Sequence, residues 1–281
     1  MKQPSVKRRF SKRRLLKQLG KRVFRGTDAW FGRTSEIPDA PVLTREHVPW
    51  LVDLERAAPT IRRELDALLE ARALLPRFQD IAVNQQRIAD DDQWRIFALW
   101  GFGRCSELGR RTCPETTACL DGIPGLESAF FSILGPGKHI PRHRGVTRAL
   151  VRCHLGLVVP RAGTCEMDVD GQRVRWREGE AFVFDDSRPH EVWNDTDEER
   201  VVLLLDVRRP MRWSGRWLYA FLRAALRRTH FVRDAIEAQQ AWERDVADRF
   251  PRPSTAPRPN GASPSADERS KPFHPVVDHP R

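Results

Sequence analysis

Leu150-Val151-Arg152-Cys153-His154-Leu155-Gly156-Leu157 is the stretch whose reading decides the fold. In an extended chain Leu150, Arg152, His154 and Gly156 share one face, and Val151, Cys153, Leu155 and Leu157 share the other. The second face continues to Val159, is wholly apolar and must pack against something dry. The first face belongs either to the interior of a small barrel or to its solvent side. An interior arginine is costly unless an anion or carboxylate meets it. A bound dicarboxylate would meet it, because guanidinium and carboxylate pair bidentately. A structural ion pair with Asp185, Asp186 or Asp206 would do so too, and both readings also apply to Arg200, which opens the run Val201 to Val207.

The period of two begins near Ala129. Cys165 to Val169, a turn at Asp170-Gly171, and Arg173 to Trp176 form a predicted hairpin. Glu178-Gly179 marks a turn before a strand from Ala181 to Phe184, and Val201 to Val207 is the last β run. Short strands at close spacing with glycine turns predict a mainly β protein with flanking helices, its core a small barrel or jelly roll. Upstream, Leu51, Leu54, Ile61, Leu65, Leu68 and Leu69 recur at three- and four-residue steps, so residues 44–74 are predicted helical. Residues 75–130 read as turn-rich, with a short helix after Cys113, where Pro114 suits a first turn. Beyond Pro210, Trp213, Trp217, Leu218, Phe221, Leu222, Ala225 and Leu226 interleave with Arg212, Arg216, Arg223, Arg227 and Arg228. This is either a helix docked on the barrel with its arginines reaching water or one lying at a lipid interface. Arginine interrupts it too often for it to span a bilayer.

The chain thus divides into a basic amphipathic arm at 1–26, a domain at 40–210 with its β core at about 125–210, amphipathic helices at 211–250, and a tail at 251–281. The tail has eight prolines among Ser, Arg and Ala and is expected to be disordered. Residues 1–26 hold eleven of the 49 Lys and Arg and no acid, which leaves 38 basic groups elsewhere against 38 acidic ones. A nucleic-acid enzyme would spread its cations over a substrate groove, so a neutral body argues against nucleic acid as a partner. In the arm, Leu15, Leu16, Leu19 and Val23 share one side of a helical wheel. It suits an anionic membrane surface, a solvated tail, or, being Arg-rich and acid-free, a transit peptide. It lacks the apolar segment and cleavage site of a secretory signal, and no apolar run reaches the ~18–20 residues of a membrane span. Five cysteines without a Cys-x-x-Cys fit neither a zinc knuckle nor a disulfide framework. They read as reduced, mostly buried thiols of a cytoplasmic protein, peripheral on the inner face of the membrane where the arm binds lipid.

Four of the eight histidines, His139, His143, His154 and His190, fall within 52 residues. His139 and His143 have the spacing of two zinc ligands on a helix, but Pro141 separates them and no His-Glu-x-x-His occurs. A lone histidine in a sheet is usually a hydrogen-bonded core residue. A cluster with arginines on the same strand faces points to a site, and two imidazoles beside such donors suit a ferrous ion with a dicarboxylate co-substrate.

Pro136-Gly137, His139, Pro141, His143-Arg144-Gly145, Arg152-x-His154-Leu155-Gly156-Leu157, Trp176-x-x-Gly179, Phe184-Asp185-Asp186-Ser187, His190-Glu191-Val192-Trp193-Asn194 and Arg200 together resemble the aspartyl/asparaginyl β-hydroxylase family over about residues 75–210. The resemblance implies a double-stranded β-helix core (jelly-roll, cupin-like). It implies an iron(II)- and 2-oxoglutarate-dependent dioxygenase that uses O₂ to hydroxylate a C–H bond. By position it implies His143 and His190 as iron ligands, Arg200 with help from Ser132 on the distal carboxylate of 2-oxoglutarate, and Arg152 and His154 at its metal-chelating end. The general two-His-one-carboxylate plan places its acid two residues after the first histidine. Here that position is Gly145, as it often is in this family, and Asp186 becomes the candidate to hydrogen-bond a metal-bound water. The family name implies a peptide or amino-acid substrate. Relatives in the same superfamily hydroxylate acyl chains of bacterial membrane lipids, which the two basic amphipathic segments would suit. Beside these stand an iron halogenase using the vacant carboxylate position and a non-catalytic cupin-like module that binds a metal or small anion.

Overall fold

A computed structural model describes residues 26–81, 91–101 and 103–250. The basic arm through residue 25 and the proline-rich tail from 251 lie outside the described residues. Eleven strands are described: β1 (Val42–Leu43), β2 (Trp94–Gly101), β3 (Arg104–Cys105), β4 (Leu126–Leu134), β5 (His139–His143), β6 (Leu150–Val158), β7 (Thr164–Val169), β8 (Gln172–Arg175), β9 (Ala181–Phe184), β10 (His190–Asp195) and β11 (Arg200–Arg208). They form a larger sheet ordered β1-β9-β6-β11-β4-β2-β3 and a smaller one ordered β5-β10-β7-β8. From β4 to β11 the chain alternates between the sheets, and only the β7–β8 hairpin keeps two consecutive strands in one. That alternation makes the fold a jelly roll. Asp170 and Gly171 turn the hairpin in two residues with φ of 52° and 89°, the doubly positive backbone of a type I′ turn.

The two faces of β6 have separate surroundings. Val151, Cys153, Leu155 and Leu157 pack outward in one hydrophobic layer with Leu51, Leu54, Ile61, Leu65 and Leu68 of the helix Leu51–Leu69. The dry partner demanded by the apolar face is therefore this helix. The inward face looks into a second layer between the sheets, where Ile96, Leu134, Met167, Trp176, Phe182, Phe184, Val202 and Leu204 gather. Val201, Leu203 and Leu205 of β11 go outward while Val202 and Leu204 go inward. Arg152, His154 and Arg200 thus belong to the interior chamber.

The reading of residues 75–130 as turns and one short helix needs correction. Besides the expected helix Pro114–Asp121, the stretch holds the eight-residue strand β2 and the helix Glu107–Thr112. Trp-Arg-Ile-Phe-Ala-Leu-Trp shows no clean alternation because both faces of β2 are covered. Phe97 and Leu99 enter the outer layer, and Trp94 and Ile96 the inner one. Beyond the sheets, the helix Trp213–Arg227 buries Gly215 and Tyr219 but leaves Trp213, Trp217 and Phe221 exposed. The docked reading describes its buried side, and the aromatic side chains of the other side have no covering among the described residues. No helix among the described residues is long and apolar enough to cross a membrane.

Candidate active site

β10 lies between β5 and β7 in the smaller sheet, and its first residue, His190, is in register with His143, the last of β5. The two imidazoles meet with ring centroids 4.1 Å apart. Each is fixed by its own backbone: His143 Nδ1 donates to the Pro141 carbonyl at 2.8 Å and His190 Nδ1 to the Arg188 carbonyl at 2.9 Å. A carbonyl only accepts, so both Nδ1 atoms carry the proton and both Nε2 atoms keep a lone pair. Burial and the facing His190 ring push His143 down to about 4, and burial lowers His190 as well. At neutral pH the pair is uncharged and ready to bind a cation through Nε2, with the second nitrogen anchored as metal-binding histidines usually are.

Beside them stands Asp186, whose Oδ1 is 3.4 Å from His190 Nε2 and 2.7 Å from Arg152 Nη1. Arg152 also binds Asp206 through Nε at 2.8 Å, and Ser128 donates to the other Asp206 oxygen at 2.7 Å. Burial raises the Asp186 carboxyl even though Arg152 pulls the other way. The relation of Asp186 to Gly145 is volumetric. The Gly145 N–H donates to the Asp186 carbonyl at 2.7 Å, and a Cβ built at 145 would fall inside the Asp186 carboxylate. The space a side chain at 145 would need is filled from the opposite side by Asp186.

Deeper in the chamber the cations fare differently. Arg200 is 2% exposed, and it forms no ion pair or hydrogen bond with any described residue; its Nε is unsatisfied. Its guanidinium lies over the Trp176 ring at 4.6 Å. Burial depresses it to about 10. His154 accepts from Trp176 Nε1 at Nδ1 over 3.3 Å, so its Nε2 bears the proton, and that donor also has no partner among the described residues. Burial, reinforced by Arg200 and Arg152, keeps this imidazole neutral. Ser132 faces the same chamber and accepts from Trp94 Nε1 at 3.0 Å. Two buried donors left unpaired in one chamber form a binding set for an anion.

The structure therefore brings His143, His190, Asp186, Arg152, His154, Ser132 and Arg200 to one interior. It leaves His139 outside, paired with Glu191 at 2.7 Å on the outer side of the sheet. Arg152 forms the ion pairs that the sequence offered as one reading, and Arg200 forms none with a described residue. Trp176 had no assigned role, although its place in the Trp176-x-x-Gly179 motif was a signal; it orients His154 and underlies Arg200. Among the described residues no group of three or more His, Cys, Asp or Glu is arranged to hold a metal, and position 145, a glycine, adds no donor to the His143–His190 pair. A cleft of about 220 Å³ lined by Ile37, Val48, Trp50, Val151 and Val207 contains none of these residues. It lies on the far side of the larger sheet.

Jelly-roll architecture and chamber belong to a hydroxylase, an enzyme that inserts oxygen into a C–H bond. The chain is a member of the family described as Aspartyl/Asparaginyl beta-hydroxylase, whose model matches residues 55–210. It is 39% identical over 212 residues to an ornithine lipid ester-linked acyl 2-hydroxylase of Rhizobium tropici, covering 75% of both chains. It is 34% identical over 130 residues to the aspartyl/asparaginyl beta-hydroxylase of Homo sapiens, covering 44% of this chain but only 17% of that one. A crystal structure of a Pseudomonas putida prolyl-4-hydroxylase is 22% identical, with a TM-score of 0.38 over 54% of this chain and 87% of that one.

Proposed function

We propose that the protein is an iron(II)- and 2-oxoglutarate-dependent dioxygenase that hydroxylates an acyl chain of a membrane lipid, working as a peripheral protein on the cytoplasmic side. The observation that carries the co-substrate is the buried Arg200 guanidinium, which has no carboxylate partner among the described residues and lies in one chamber with two neutral imidazoles. The lipid substrate is supported by the Rhizobium tropici relative, whose likeness extends over three quarters of each chain. The human relative, named for aspartyl and asparaginyl residues, shares 17% of its length.

The residues fit the group. His143 and His190 would hold iron through Nε2. Arg200 would receive the distal carboxylate of 2-oxoglutarate in a bidentate pair, with Ser132 close on the same chamber wall, and the His154 Nε2–H would donate to an oxygen of the bound acid. Arg152 is committed to Asp186 and Asp206, so its part is to hold the Asp186 carboxylate in place. From there Asp186 would accept hydrogen bonds from water beside the metal position. Trp176, Phe182 and Phe184 wall the chamber and exclude bulk water. Bound iron supplies the activation of O₂, and 2-oxoglutarate the electrons that balance it. The halogenase alternative needs room near position 145 for a halide, and that volume holds a carboxylate.

Succinate release from 2-oxoglutarate should require iron(II) and a membrane-lipid extract, with a +16 Da acyl product seen by mass spectrometry. It should vanish in His143→Ala and in His190→Ala. Turnover surviving in both variants would remove the ligand assignment; iron bound without any 2-oxoglutarate consumption would favour the non-catalytic module.

A further inference from the structure

Five of the six large hydrophobic side chains exposed among the described residues lie on segments that meet at one small cluster. The six are Trp30, Val52, Val146, Trp213, Trp217 and Phe221. The cluster consists of Phe31, Ala149, Met211 and Tyr219. Trp30 precedes Phe31, Val146 lies three residues before Ala149, Trp213 two after Met211, and Trp217 and Phe221 flank Tyr219. Only Val52 lies elsewhere.

On the helix Trp213–Arg227 the exposed aromatics fall at four-residue steps, a stripe about 12 Å long. They are 71%, 72% and 70% exposed. Ala220, Ala224 and Ala225 are exposed as well, so the stripe contains no polar side chain. Exposed Arg212, Arg216 and Arg228 stand at its margins, and none of them forms an ion pair with a described residue. The neighbouring helix at residues 26–34 joins the same corner. Arg212 N–H donates to the Thr34 carbonyl at 2.8 Å, Thr34 sits against Gly215, and Trp30 is one turn before Thr34. Residue 26, where the described chain begins, opens this helix, and the sequence before it carries eleven Lys and Arg.

We infer that this corner is a docking face for an anionic lipid bilayer: Trp30, Trp213, Trp217 and Phe221 enter the interfacial zone, and the arginines meet lipid headgroups. Charge decides between a bilayer and a second copy of the chain, since unpaired arginines around the stripe would face the same arginines across a two-fold contact. The face adjoins the site through the loop that joins β5 to β6. That loop carries Gly145, whose N–H binds the Asp186 backbone, then exposed Val146, then Arg148, whose N–H bonds Asp28 in the helix at 26–34 at 2.9 Å. Bilayer docking would set acyl chains beside the β5–β6 loop that borders Asp186. The inference rests on the lipid reading of the function and adds where the lipid phase lies.

The test uses the full chain with vesicles of phosphatidylcholine, with and without about one third phosphatidylglycerol. Co-sedimentation and quenching of tryptophan fluorescence by brominated acyl chains are the readouts. The wild type should bind the anionic vesicles and be quenched. Trp213→Ser/Trp217→Ser/Phe221→Ser should lose ~10-fold or more in partitioning, and Arg212→Gln/Arg216→Gln roughly 10-fold on anionic vesicles alone. Each variant's thermal melt confirms that it is folded. Wild-type partitioning in the triple variant, or a dimer in wild type that the triple variant abolishes without any vesicle binding, would overturn the inference. Turnover on detergent-dispersed lipid extract reads the chemistry separately: it should be unchanged in the triple variant, and its absence in wild type would count against the proposed function, not the docking face.

Discussion

Replacing Arg200 by methionine separates stability from binding. In the ligand-free protein the guanidinium is held at about 10, well below its ordinary value, because burial removes its water and no carboxylate of a described residue replaces it. At about 1.36 kcal/mol per pH unit this is a cost of roughly 3 kcal/mol for keeping it charged. Stacking on Trp176 returns ~0.5–2 kcal/mol. Methionine fills similar space without the charge, so Arg200→Met should stabilise the ligand-free fold by about 1–2 kcal/mol, or ~2–6 °C in Tm for a domain of this size. The same change should abolish stabilisation by 2-oxoglutarate, which for the wild type at a hundredfold excess over Kd is ~2.7 kcal/mol. Thermal melts of both proteins, with and without 2-oxoglutarate and a redox-inert divalent metal, give the four values needed. A ligand-free variant that melts several degrees below wild type would show that the arginine already has a compensating partner. The anion-binding argument would then fail.

Gly145→Ala drives a methyl group into the Asp186 carboxylate, so it should destabilise the protein. In urea titrations its combination with Asp186→Ala should be milder than the sum of the two single changes by ~1–3 kcal/mol; strict additivity would show that the two sites do not share that volume. Metal-free protein should lose stability on acidification. Unfolded imidazoles bind protons near pH 6.5 while folded His143 resists until about 4, and His154 and His190 are depressed in the same direction. The unfolded state therefore holds more protons across that window. The contribution is complete above pH 6.5 and lost as pH falls toward 4, with Asp186, raised by burial, working partly against it; urea midpoints that stay level across the window would contradict these burial effects. Leu65→Ala, fully buried in the outer layer, should cost ~2–5 kcal/mol in the same titration, and a loss below ~1 kcal/mol would mean the helix is not packed as described.

The strands that alternate were readable because one face of each had chemistry and the other had none. β6 and the Asp170-Gly171 hairpin needed only a period of two and a turn dipeptide. β2 was not readable, because covering both its faces with apolar neighbours erased the alternation that marks a strand. Within the chamber, His143 and His190 could be singled out by type and spacing. Arg152 and Arg200, though, look alike on paper: each lies on an inward strand face with acids elsewhere in the chain. Only folding shows that Asp186 and Asp206 both go to Arg152 and that no acid among the described residues goes to Arg200. The exchange of volume between Gly145 and Asp186 joins residues 41 positions apart, beyond any local pattern.

Asp185 and Asp186 are consecutive yet part company at the end of β9. Asp186 turns inward toward Arg152 and His190, while Asp185 goes to Arg209, with an Nη2–Oδ2 distance of 2.7 Å, and to the Ser187 hydroxyl. Arg209 in turn donates to the Arg148 carbonyl, and Arg148 anchors the helix at 26–34 through its own N–H. A single peptide unit is thus the whole distance between the reaction vessel's lining and the footing of the amino-terminal wall. Shifting that helix would pull on the chamber lining through Arg148, Arg209 and Asp185, so the two are mechanically one piece.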